Sequence, residues 1–152
     1  MANPFTILVE DGLPLFDVAP SATATVFELP ASGPFPAVVT PVHSIGPTQG
    51  WGVRVRWSTS GALSPLLAGD WVVTLYMDRM GGGPFSVPGG QQTTPLIAAT
   101  PQAYAVDFSF PAGAIPAGAY RLAVTITMRG PAPGHVPGPL GGVGDGPLLQ
   151  FY

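Results

Sequence analysis

His43 and His135 are the chain's two histidines, and both stand in stretches rich in proline and glycine. Imidazole exchanges protons near neutral pH, so acid–base chemistry would begin there. A hydrolytic triad would need Ser44 or another loop serine beside one of them, and no Gly-x-Ser-x-Gly elbow occurs. Zinc asks for three or four ligands, which two isolated histidines in a chain without cysteine do not supply. The eight carboxylates, Glu10, Asp11, Asp17, Glu28, Asp70, Asp78, Asp107 and Asp145, are scattered. Glu10 and Asp11 are adjacent, but neighbours on a strand face opposite ways. A glycosidase pair would therefore have to be assembled from distant segments. Asp78 ahead of Gly81-Gly82-Gly83, and Asp145 between Gly144 and Gly146, suit turns better than calcium loops, which need a denser ladder of oxygens. Gly142-Val143-Gly144-Asp145-Gly146 has the composition of a phosphate cradle but leads into a strand, so the helix N-terminus that binds anions is missing. With no lysine there is no amine for Schiff-base chemistry. The expectation is a protein without catalytic residues, metal or cofactor.

The arginines and a few aromatic residues are the better candidates, for recognition rather than catalysis. Alternation along their strands sends Arg54, Arg56, Arg121 and Arg129 out of the core. If those strands neighbour one another, four of the five cations line one sheet face. Such a face would dock an acidic partner, or the acidic segment carrying Glu10, Asp11 and Asp17 of another copy; plain solvation is the alternative. Tyr76 also points outward on its strand. Two Gly-Pro-Phe stretches place Phe35 and Phe85 on stiff tips, for insertion into a partner or for packing back over the fold. A net charge of −3 argues against nucleic acid.

The elements that must position these residues are strands. Ala119–Arg129 alternates without a slip: Tyr120, Leu122, Val124, Ile126 and Met128 one way, Arg121, Ala123, Thr125, Thr127 and Arg129 the other. The same period of two runs through 51–58, 71–78 and 103–110. Shorter strands are expected at 5–9, 23–28 and 148–152, with an edge strand over 37–42, since Pro36 and Pro41 would be costly in the middle of a sheet. Pro65 limits 62–68 to one helical turn. A chain of 152 residues is expected to form one domain, 1–152. Charged residues are 9% of it, against a norm of about 25%. The surface must then be built from Thr, Ser, Ala, Pro, Gly and some apolar side chains, which favours contact with other proteins. No apolar run approaches the ~18 residues of a membrane helix, so no membrane insertion is expected. Met1–Phe5 lacks a basic, apolar leader, so synthesis in the cytoplasm is the default, with release in a particle equally consistent.

Seven to nine short strands separated by Pro/Gly turns predict an all-β fold, a two-sheet antiparallel β-sandwich. Ile115-Pro116-Ala117-Gly118-Ala119-Tyr120-Arg121-Leu122 resembles the E–F corner of immunoglobulin-like and fibronectin type III domains, where a tyrosine hydroxyl ties back onto the turn. The resemblance implies architecture only. It assigns 51–58, 71–78, 103–110, 119–129 and 148–152 to strands C, D, E, F and G, with Trp57 or Trp51 as the core tryptophan. The connections 29–50, 79–102 and 130–147 would then gather at one end. The leading expectation is a non-catalytic structural or protein-interaction module that associates with itself or with subunits of a larger assembly, for example a phage-like particle. The alternatives are a ligand-binding or adhesion module, for carbohydrate, at the long-loop end, and a hydrolase.

Overall fold

The structure is a computed structural model that describes residues 4–11, 22–30, 35–36 and 40–152. Among these residues ten strands form: β1 (Phe5–Asp11), β2 (Ala22–Glu28), β3 (Ser44–Ile45), β4 (Trp51–Thr59), β5 (Asp70–Arg79), β6 (Gly83–Phe85), β7 (Gln91–Pro95), β8 (Gln102–Phe110), β9 (Gly118–Arg129) and β10 (Pro137–Phe151). The short turn of 3-10 helix at Ser64–Leu66 is the interrupted turn that Pro65 allows. The predicted edge strand over 37–42 lies partly outside the described residues; within them, Pro41 bridges to Phe27.

The strands form a two-sheet β-sandwich. Sheet I runs β1-β2-β4-β8, and sheet II runs β1-β10-β9-β5, with β6 and β7 sharing the far side of β5. All these pairings are antiparallel; β3 alone pairs parallel, with the end of β10. Strand β1 belongs to both sheets, since Phe5–Ile7 pairs with β2 and Leu8–Asp11 with β10.

The core is the predicted inward set. Trp51, Val53, Val55 and Trp57 of β4 meet Trp71, Val73, Leu75 and Met77 of β5, and Tyr120 to Met128 of β9 alternate into the same layer. Trp51 stacks on Phe110 at 4.4 Å and meets Phe151 edge-on at 5.2 Å. Trp57 stacks on Tyr104 at 5.3 Å and meets Trp71 edge-on. Offset and edge-to-face ring pairs add about 0.5–1.5 kcal/mol each beyond the area they bury. The indole nitrogens of Trp57 and Trp71 are buried without a hydrogen-bond partner, while the Tyr104 hydroxyl accepts from the Ile97 N–H at 3.0 Å. The corner motif forms as its resemblance implies: Tyr120 is buried, and its hydroxyl donates to the Pro116 carbonyl at 2.9 Å.

Two assignments change. Strand β4 pairs with β8 and β2, so it lies in the sheet opposite β9, while β5 pairs with β9 over ten residues. The stretch expected as strand C is therefore a B-like strand, and the stretch expected as strand D takes the C place. The core tryptophan of the C-like strand is Trp71. Alternation tells which side of a strand is buried; it carries no label for the sheet.

The second change follows from the first. Trp51 opposite Phe110, and Arg129 opposite both Asp70 and Pro137, fix the direction of every strand. The connection 29–50 leaves at the same end as the corner turn 111–117, whereas 130–136 leaves at the other end. The stretch 79–102 folds into β6 and β7 along β5, and 137–147 is part of β10. The three long connections do not gather at one end.

The glycine run 141–146 proves to be a seat for β1. A Cβ at Gly144 would stand 2.7 Å from Ile7 Cγ1, and one at Gly142 2.8 Å from Val9 Cγ2. Bare backbone there lets β1 cross from sheet II to sheet I with its side chains laid against β10.

Candidate interaction surfaces

The predicted arginine face divides between the two sheets. Arg54 and Arg56 lie on β4, on the outer side of sheet I; Arg121 and Arg129 lie on β9, on the outer side of sheet II. They sit on opposite faces because β4 and β9 belong to different layers.

Of the four, Arg54 is enclosed, with only 7% of its surface exposed. Its Nε donates to Asp107 Oδ1 at 2.6 Å and its Nη2 to Oδ2 at 3.0 Å, a two-pronged ion pair between adjacent strands. The hydrogen bond to Asp107 raises the guanidinium pKa above its ordinary value, burial opposes this, and the nearby negative charge adds to it. Arg54 also lies 5.7 Å from the centre of the Phe27 ring. Phe27 is buried on this outer face, lying against Gly52, where a Cβ would come within 2.5 Å of the Phe108 carbonyl and 2.8 Å of Phe27 Cζ. Phe35 meets Phe27 edge-on at 6.2 Å while remaining partly exposed. Arg54 and Phe35 thus roof sheet I. Arg56, next along the strand, is exposed between Thr23 and Ala105.

Arg129 reaches Asp70 Oδ2 at 3.4 Å, and His135 Nδ1 lies 3.8 Å from the same oxygen. His135 Nδ1 is also 3.3 Å from the Gly130 carbonyl, which can only accept, so a hydrogen bond there requires the tautomer with the hydrogen on Nδ1. A histidine and an acid do approach one another here, but arginine shares the carboxylate. His43 contributes its backbone carbonyl to Gln150. Among the described residues no three of His, Cys, Asp and Glu cluster as metal ligands. Phe85 stands on β6 rather than on a tip; it is half-buried and meets Tyr120 edge-on at 5.6 Å.

Among the described residues, nothing roofs the outer face of sheet II as Arg54 and Phe35 roof sheet I. Register places Gln91, Thr74, Thr125, Val143 and Leu8 in one row across five strands. The next row sets Tyr76 beside Ala123 and Asp145, and the one after sets Asp78 opposite Arg121 beside Leu148. Leu8 is 74% exposed, Val143 58% and Tyr76 54%. Where β6 gives way to β7, a cleft of about 310 Å³ opens between Tyr76, Phe85, Val87 and Gln91. Of the predicted candidates this face brings together Tyr76 and Arg121, with Arg129 at its margin. Val143 was missed because the glycine run hid a strand, and without that strand Leu8, on the predicted strand 5–9, had no row to belong to; Val143 between Gly142 and Gly144 was the available sign of alternation.

No family model and no curated protein matches the chain. Among solved structures it is similar to the CARDB domain of the PF1109 protein from Pyrococcus furiosus, crystallised in complex with di-metal ions. That likeness has a TM-score of 0.45 and 12% identity, and it covers 91% of this chain and 90% of that one.

Proposed function

We propose that this protein is a non-catalytic interaction module whose contact surface is the outer face of sheet II, and that it assembles with further copies of itself or with subunits of a larger body such as a phage-like particle. The observation that carries this reading is the row Gln91–Thr74–Thr125–Val143–Leu8, five strands wide and without a charge. An uncharged row loses little on desolvation, and the exposed Leu8 and Val143 in it, with Tyr76 in the next row, gain from being covered. Asp78, Arg121 and Asp145 at the margin supply a polar rim, the arrangement that orients protein partners. A carbohydrate platform has less support, because Trp51, Trp57 and Trp71 are all buried.

The test is native mass by analytical ultracentrifugation over a wide concentration range, with electron microscopy of the concentrated protein. Thr125→Lys puts a charge at the centre of the row; it is expected to remove contact through this face, lowering the native mass, and leave the thermal unfolding curve in place. A native mass that Thr125→Lys leaves unchanged in a folded variant would refute this face as the contact.

A further inference from the structure

The four lateral boundaries of the two sheets are treated very differently. On one side of the sandwich, β1 joins β2 to β10, and the segment 41–45 repeats the link, Pro41 bridging to Phe27 and β3 pairing with β10. On the other side, sheet II ends in β6 and β7, of three and five residues, interrupted by the turn between them and carrying Pro84 and Pro95. Short edge strands with proline are how sheets avoid pairing with other chains. Sheet I ends in β8, and β8 has none of these devices. Its nine residues, Gln102–Phe110, pair with β4 in unbroken register. Within it there is no proline, no lysine and no bulge.

The direction of its backbone groups can be derived. Gln92 Nε2 donates to the Asp107 carbonyl at 2.8 Å, so that carbonyl faces away from β4. Both backbone groups of a residue in an antiparallel strand point to the same side, and the side alternates. Ala103, Ala105, Asp107 and Ser109 therefore all present N–H and C=O to the free edge. Ala103, Ala105 and Ser109 are also exposed and small, so nothing on their side chains obstructs an incoming strand.

We infer that β8 is a pairing edge for a second copy of this chain, the two β8 strands running antiparallel about a two-fold axis at Val106. In that register Ala103 faces Ser109 of the other copy and Ala105 faces Asp107, so all four outward residues are used in both directions. The alternative centred on Asp107 would oppose two carboxylates. The chosen register also brings charges together. On the outer face Arg56 stands beside Ala105, and Ala105 lies beside Asp107 of the second copy. Arg56 and that Asp107 are then two strands, or roughly 10 Å, apart at the backbone, within the combined reach of the two side chains across an alanine. Asp107 is already held by Arg54, so the pairing creates alternating charge, Arg54–Asp107–Ala105–Arg56, on each half. Among the described residues, Gln92 on the neighbouring β7 has to release its bond and draw back from this edge. The inference is independent of the face of sheet II.

The register makes the test specific, because the chain has no cysteine. Ala103→Cys and Ser109→Cys are made singly and mixed under mild oxidation. Disulfide-linked dimers are expected in the mixture and not from either variant alone, since equal positions lie six residues, or about 20 Å, out of step. Ala105→Pro removes an outward N–H without touching the β4 ladder and is expected to stay folded and lose the dimer. Arg56→Glu is expected to weaken the dimer about three- to fivefold at low salt, the range of an exposed ion pair. A wild-type monomer at every concentration, cross-links from one variant alone, or a dimer undisturbed by Ala105→Pro would overturn the inference. Thr125→Lys separates it from the proposed function. If that variant dissolves the association and the mixed cysteines never link, the edge fails and the face stands; if the cysteines link and Thr125→Lys has no effect, the face fails and the edge stands.

Discussion

On sheet I the outer pair Phe27–Gly52 is covered by the Phe35 ring and the Arg54 side chain of the Arg54–Asp107 ion pair, while β8 beside it ends in open backbone. On sheet II the outer rows carry Thr74, Thr125, Val143 and Leu8 uncovered, while the strand edge is broken into β6 and β7. Each sheet thus closes one of its two routes to association and leaves the other. The contrast teaches where to look for function in a sandwich whose described residues gather no three of His, Cys, Asp and Glu. Outward arginines are weak guides, because the best-placed of them, Arg54, is a structural roof; the informative places are the row without charge and the edge without protection.

The contrast can be broken first at the roof. Phe27→Ala empties a buried site on the outer side of sheet I and is expected to cost about 3–4 kcal/mol in urea unfolding, as buried phenylalanine truncations do. A cost near zero would mean that the roof is decoration. Next, Asp107→Ala leaves the enclosed Arg54 guanidinium without its two-pronged acceptor, with an expected loss of about 2–3 kcal/mol. Tyr120→Phe tests the corner that both sheets share; loss of the bond to Pro116 should cost about 1 kcal/mol, read as a lowered melting temperature. Smallest of all, Thr125→Lys on the open face should shift stability by no more than about 0.5 kcal/mol, whatever it does to association. Equal destabilisation by Asp107→Ala and Thr125→Lys would remove the distinction between the two faces.

Much of this was readable beforehand. The alternation from Tyr120 to Met128 named the buried set of β9 correctly, and the same reasoning held for Trp51–Trp57, Trp71–Met77 and Tyr104–Phe110. The Pro116–Tyr120 corner could be read because its bond spans only four residues. The arginine face was misjudged for the opposite reason: Arg54 and Arg121 each leave their own strand correctly, but whether two strands share a sheet depends on pairings across the whole chain. The strand through Gly141–Gly146 was hidden because glycine shows no periodicity, and its purpose became visible only with Ile7 and Val9 lying over it. The partial burial of Phe85 likewise needed β6 to be laid along β5 before it could meet Tyr120.

Local pattern therefore settled which side chains are buried and where the chain turns, since alternation and proline or glycine geometry act within a few residues. Folding in three dimensions settled which strands share a layer, which arginine is enclosed and which boundary is left open. Those outcomes depend on contacts such as Arg54 with Asp107, fifty-three residues apart, which no short window of sequence contains.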